Sequence, residues 1–217
     1  MLLPILPTMK GKAMMGPFFQ GAGIGAGLII AIGAQNTFVL SQGIRGRYPI
    51  LIPLICWICD IVLILAGTAG LGRLVAQSSM GMRLAAWGGA IFLVAYGFRS
   101  LQSAIVGGRL EGDAAAVSSV RSAVLATLAV TLLNPHVYID TVVLLGSLSG
   151  QYADAGRYLF AAGAIFSSFA WFFVLSLGAR FLAPCFCSPL AWRVLDSAVC
   201  LTMWSIAVSL TYRDIVP

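Results

Sequence analysis

Long apolar runs broken by single charges set the pattern of this chain. Residues 18–44 and 158–179 contain no charged side chain. Residues 48–72 contain only Asp60, 122–153 only Asp140, and 194–212 only Asp196, near their start. Residues 84–98 are uncharged, and their apolar pattern continues past Arg99 to position 106. A helix needs about 20 mostly apolar residues to cross the hydrocarbon core of a bilayer. The pattern therefore predicts an all-α integral membrane protein of six transmembrane helices joined by short loops. It leaves no room for a soluble module, so residues 1–217 read as a single membrane domain. The first run is too long for a signal peptide and is followed at once by a second span. Met14 and Met15 directly precede it, and residues 1–13 read as a non-native or disordered N-terminal extension.

Composition agrees with this pattern. The chain is 60% hydrophobic and 9% charged, against roughly 25% charged in soluble domains. The net charge of +6 is assigned to loop arginines, because a nucleic-acid partner would need a basic face on a soluble module. Positive residues favour the cytoplasmic side of short loops. The connections after spans one, three and five carry seven: Arg45, Arg47, Arg99, Arg109, Arg121, Arg180 and Arg193. The opposite side carries six: Lys10, Lys12, Arg73, Arg83, Arg157 and Arg213. A start at Met14 or Met15 would reduce that six to four. The count leans towards both termini outside, with the loop of Arg109, Glu111 and Asp113 inside.

The candidate chemistry is the polar exception to this apolar chain. Asp60 and Asp140 lie well inside spans, where an Asp costs about 2.5–3.5 kcal/mol on insertion scales. Such residues usually face a bundle interior or a watery cavity, although a structural hydrogen bond between helices is the plainer explanation. Two helix-weakening stretches accompany them: Gly33-Ala34-Gln35-Asn36 in span one and Asn134-Pro135-His136 in span four. Pro135 removes a backbone donor and obstructs the carbonyl four residues earlier, and Gly33 relaxes the first stretch. Interrupted segments at equivalent places of two halves point to a transporter's midplane site. With three spans per half, the halves would be inverted repeats, with helices one and four interrupted.

Other features suggest packing. The stripe of Gly21, Gly23, Gly25 and Gly27 suits close helix contact, and Cys56 and Cys59 read as small apolar packers in span two. Trp57, Trp87, Trp171, Trp192 and Trp204 read as core residues or interface anchors. Cys185 and Cys187 stand in a loop and indicate nothing firm. A lone His136 without a second His or a nearby Cys makes a poor metal site. No zinc-protease helix, nucleophile elbow or phosphate-binding loop occurs, so no enzyme, metal or cofactor is expected.

Between these breaks the chain resembles the lysine exporter (LysE) family, its arginine exporter branch most closely. The resemblance runs from about Phe19-Gln20-Gly21 to the last span. It is carried by Gly33 with Gln35-Asn36, Gln42-Gly43-Ile44, Asp60, Trp87-Gly88-Gly89 and Tyr96-Gly97-Phe98. It continues through Asn134-Pro135-His136-Val137-Tyr138, Asp140-Thr141, Gly146-Ser147-Leu148, Trp171-Phe172-Phe173 and Met203-Trp204. Where the family commonly has a proline before Gln-Asn, Ala34 stands here, so a gentler first break is expected. The loop between spans three and four is short, as in arginine exporters. The resemblance implies amino-acid efflux across a bacterial inner membrane by a multi-pass protein.

Export of arginine or lysine moves a cation out of an electrically negative cytoplasm, costing about 2.3 kcal/mol per 100 mV. Coupling to inward protons is the simplest remedy. Asp60, with Asp140, is the candidate to bind the guanidinium or ammonium while ionised and to release it on protonation, and His136 is a further proton-carrying candidate. The cargo carboxylate would rest at helix ends near Gln35, Asn36 and Asn134, whose backbone N–H groups suit anions. The expected partners are thus L-arginine, L-lysine, protons and the lipid bilayer; homo-oligomerisation is left open. A carrier of neutral amino acids or other small solutes, and a non-transporting scaffold or subunit, are the alternatives.

Overall fold

The computed structural model describes residues 8–30, 33–71, 79–106, 117–153, 155–182, 184 and 188–215. Arg73, Arg109, Glu111, Asp113, Cys185 and Cys187 lie outside the described residues, as do residues 1–7. The elements are α1 (Thr8–Ile30), α2 (Ala34–Ile44), α3 (Leu51–Leu71), α4 (Ser79–Val106) and α5 (Val120–Leu132), then α6 (Pro135–Ser149), α7 (Ala155–Leu182) and α8 (Pro189–Ile215). Among the described residues there is no strand.

Helices α3, α7 and α8 are each long and apolar enough to cross a membrane. Two bent pairs qualify jointly: Met15–Ile30 with α2, turned through 76°, and α5 with α6, turned through 61°. That gives up to five spans by length and composition. The expected sixth falls on α4, whose apolar run is flanked by Arg83 and Arg99 and which is not among the helices that qualify.

Apolar side chains cover the outside, and polar ones are admitted to the interior beside an apolar core, as expected when lipid is the solvent. Phe19, Val62, Ile91, Ile105, Val174 and Val208 point outward, while Gln42, Ser100, Thr127, Thr131, Ser168 and Ser176 are buried. Apolar matching with lipid gives helices no reason to associate, so close backbone approach and interhelical hydrogen bonds must do so. The seam between α1 and α7 illustrates this. A Cβ on Gly21 would stand 1.9 Å from the carbonyl oxygen of Phe160, and one on Gly163 would stand 2.0 Å from that of Phe18. Ser167 also donates to the Ala22 carbonyl at 2.6 Å. The glycine stripe is used only in part: Gly21 and Gly25 meet α7, whereas Gly23 and Gly27 face open space. Cys56 and Cys59 are buried free thiols on α3.

Helix α1 lies along α7, α4 along α8, and α7 also meets α2 and α3, while α5 and α6 pack on α3. The breaks are therefore held against the interior, where unwound backbone can be tolerated.

Candidate functional site

The two breaks are built differently. At the second, Asn134 is the N-cap of α6 and its Oδ1 accepts the His136 N–H at 3.1 Å. Pro135 occupies the first helical position, where its missing N–H costs nothing, so it starts α6 rather than kinking a continuous helix. The Tyr138 hydroxyl reaches back across the gap to the Leu132 carbonyl at 2.7 Å. At the first break Gly33 is extended (φ −143°, ψ 179°) and offers no side-chain cap. Asn36 supplies the strap instead: its Nδ2 donates to the Ile29 carbonyl at 2.7 Å, and its Oδ1 accepts from the Trp171 indole at 3.1 Å. The chain turns through 76° between Met15–Ile30 and α2, and through 61° between α5 and α6. An extended residue redirects the chain as effectively as a proline, provided the freed polar groups find partners.

A partly open cavity of about 300 Å³ lies between the breaks. Gly33, Gln35, Asn36, Asn134 and His136 line it from the two breaks, joined by Asp60 from α3 and Asp140 from α6. All of these were singled out in the sequence; Pro135, also singled out, is buried beside the cavity without lining it. Apolar walls come from Leu28, Ile29, Val137, Phe172 and Ile206. Ser209 on α8 also lines it.

The two acids differ in setting. Asp60 is 3% exposed, and its Oδ2 accepts from the Ser168 hydroxyl at 2.5 Å. Among the described residues no basic side chain stands against it. Asp140 is half-buried in a stretch of π-helix, Tyr138–Leu144, with His136 one turn before it. Extra residues in a helical turn of this kind often mark functional positions. Gln35 brings a buried Nε2 that has no nitrogen or oxygen partner in the protein. No group of three His, Cys, Asp or Glu suited to a metal occurs among the described residues.

The arrangement is a solute-sized chamber with a carboxylate from α3 and another from α6 in its lining. One wall holds the N-terminal turn of α2, whose first N–H groups have no intrahelical acceptor. It is chemically suited to a small zwitterion or cation, and it lies between two broken helices, where transporters commonly place their sites. The LysE type translocator family model matches residues 26–214.

The chain belongs to this family.

Similar proteins agree. The arginine exporter protein ArgO of Pectobacterium carotovorum is 43% identical over 198 residues, covering 91% of this chain and 97% of that protein. ArgO of Enterobacter sp. strain 638 is 45% identical over 204 residues, covering 93% and 96%, and that of Salmonella paratyphi B is 44% identical over 203 residues, covering 93% and 96%. No solved structure matches. This LysE type translocator is thus a multi-pass membrane transporter of amino acids and not an enzyme.

Sequence reasoning missed the polar contributors Ser168 and Ser209 and the apolar wall residues Leu28, Ile29 and Ile206. A serine among the apolar residues of a transmembrane helix carries no signal by itself, because its hydroxyl commonly bonds its own helix. It also took Arg45 for a loop charge. The structure corrects that: Arg45 is 6% exposed at the end of α2 and paired with Asp196, which is fully buried on α8.

Proposed function

We propose that this translocator exports arginine, with Asp60 as the residue that holds the cargo's cationic group. The observation that carries the reading is a buried carboxylate facing a cavity without a protein counter-ion. An isolated buried charge is costly, so such a group needs either a proton or a cationic ligand. Arginine supplies the cation, and the name of the similar ArgO proteins supports the choice. Ser168 positions Asp60 by occupying one carboxylate oxygen, which leaves the other for cargo. Asp140 and His136 form the second polar wall. The cargo carboxylate rests on the N–H groups of Ala34, Gln35 and Asn36, with the Gln35 amide beside it. The Asn36 side chain holds the break. A volume of about 300 Å³ lies at the small end of the roughly 300–1,000 Å³ seen for ligand pockets, in keeping with a single amino acid.

Protons provide the coupling in this scheme: protonation of Asp60 from outside releases the cation and drives the return step. Lysine, with a point charge on a flexible stem, is a second substrate of lower fit. The remaining architecture follows the same reading. The whole chain forms one membrane domain with α4 as the sixth span, and it sits in a bacterial inner membrane. Its halves are related by inversion. In support, exchanging α1–α4 for α5–α8 leaves the pattern of helix neighbours intact: α3 on α7, α4 on α8, and each broken pair on the long second helix of the other half.

Counterflow in liposomes containing only this protein tests the proposal. Vesicles loaded with arginine should take up labelled arginine, lysine less well and a neutral amino acid not at all, and Asp60→Asn should lose the exchange while keeping its helical content. Exchange of neutral amino acids at the same rate would discard the charge-pairing scheme. Retained arginine exchange in Asp60→Asn would discard Asp60 as the cation's partner.

A further inference from the structure

Outside the cavity, the densest polar cluster of the interior joins α2, α4 and α8 at one end of the molecule. Arg45 pairs with Asp196. The second oxygen of Asp196 accepts from Ser103 at 2.7 Å, Arg45 also donates to the Ser41 hydroxyl at 2.9 Å, and its guanidinium lies over the Trp192 ring, 5.2 Å from the centroid. The cluster is aligned with the cavity. Ala34, Phe38 and Arg45 lie on one stripe of α2, since steps of four and seven residues return to the same helix face. At 1.5 Å per residue, Arg45 stands about 16 Å along α2 from Ala34, and Asp196 about 15 Å along α8 from Ile206. Between them the stripe is filled by Phe38, fully buried and edge-on to Tyr96 at 5.4 Å. Gln42 links the two layers: its Nε2 donates to the Tyr96 hydroxyl at 2.8 Å, and its Oε1 accepts the N–H of Val117, in the connection between α4 and α5, at 3.1 Å.

We propose that the Arg45–Asp196 pair is a second substrate-contact site that closes this end of the route when no cargo is present. It rests on the reading of the cavity as the cargo site. An ion pair buried this deeply cannot simply separate, because each partner would be left as an uncompensated charge. An α-amino acid carries both replacements, an α-carboxylate for Arg45 and an ammonium for Asp196, so the arriving cargo parts the pair at no loss of charge compensation. The aromatic layer of Phe38 and Tyr96 is then the second barrier, released through Gln42.

The test uses a reporter thiol, Ser209→Cys, in protein whose five native cysteines are replaced by alanine, with unchanged helical content and melting temperature as the control for folding. A membrane-impermeant thiol reagent is applied, without cargo, to either face of oriented vesicles. Arg45→Gln/Asp196→Asn removes both charges and leaves neither unpaired. We expect its labelling from the Arg45 face to rise severalfold, labelling from the other face to stay unchanged, and the KM for arginine to rise on the Arg45 face only. Unchanged labelling, or an equal rise from both faces, would overturn the proposal and leave the pair as a helix staple. Failure of the cavity reading has a different signature: Asp60→Asn would still exchange arginine, whatever the labelling showed.

Discussion

Asp60 and Asp196 are buried almost equally, at 3% and 0% exposure, yet their surroundings differ in one decisive respect. Asp196 has Arg45 against one oxygen and Ser103 on the other. Asp60 has Ser168 on one oxygen and a cavity beyond. In a bilayer, where neither charge can reach water, a carboxylate whose partners are all within the protein holds the resting fold together, whatever displaces those partners when cargo arrives. One that faces a cavity with no fixed cation is poised for something that arrives. Burial alone therefore does not set Asp60 apart; the lack of a basic partner among the described residues does.

The sharpest way to break this comparison is to neutralise each acid in turn. Asp60→Asn removes a partner from a desolvated charge pair with cargo, and losses of about 2–5 kcal/mol are usual for that. At about 1.4 kcal/mol per tenfold, arginine affinity in counterflow should fall well over tenfold while the melting temperature in detergent changes little. Asp196→Asn should show its main effect in stability. It strands the Arg45 guanidinium, and breaking a buried pair in this way costs about 3–5 kcal/mol of stability, visible as a large drop in melting temperature. Arg45→Gln/Asp196→Asn should recover most of that drop. If Asp60→Asn were instead the variant that melts early, Asp60 would belong with Asp196 among the acids on which the resting fold depends.

The sequence indicated one of these two environments and not the other, for a physical reason. A lipid environment penalises polar side chains and unwound backbone, so Asp60, Asp140, Gly33, Asn134 and Pro135 stood out from their apolar surroundings, and the cavity drew them all to itself except Pro135, which lies alongside. Arg45 follows directly on Gly43-Ile44 and looked like one more loop arginine; Asp196 stood out only as the single charge near the start of the last apolar run. Their pairing spans 151 positions, a distance over which a single sequence carries no signal. At the first break Ala34 stands in place of the familiar helix breaker, and the side chain that straps the break, Asn36, lies two residues further on and works through Ile29 and Trp171, partners that a single sequence does not indicate.

That strap gives the next prediction in size. Asn36→Ala leaves the Ile29 carbonyl and the Trp171 indole N–H without their partner. A buried polar group deprived of its bond costs about 1–3 kcal/mol, and here the cost falls on the geometry of α2's first turn. Transport should weaken severalfold in KM with a modest drop in stability. The corresponding loss at the second break, Asn134→Ala, removes an N-cap worth about 0.5–2 kcal/mol, so the two breaks should respond alike in spite of their different construction. A silent Asn36→Ala would mean that Gly33 alone sets the first turn.

The smallest effect distinguishes a positioning role from simple packing. Ser168→Ala keeps the volume of the interior nearly intact and removes only the hydroxyl that holds Asp60 Oδ2. An ordinary hydrogen bond contributes about 0.5–1.5 kcal/mol net, and one to a charged group about 1.5–3, so stability should fall only slightly. Transport should show more. With neither oxygen tied down, Asp60 can turn away from the cavity or take up water, and the KM for arginine should rise severalfold while the maximal rate holds. Ser168→Thr, which keeps the hydroxyl on a bulkier side chain, should restore the KM if the extra methyl is accommodated beside α3. An equal loss in both variants would show that the space around Ser168 matters rather than its hydrogen bond, and would make the carboxylate's orientation a consequence of the helix packing alone.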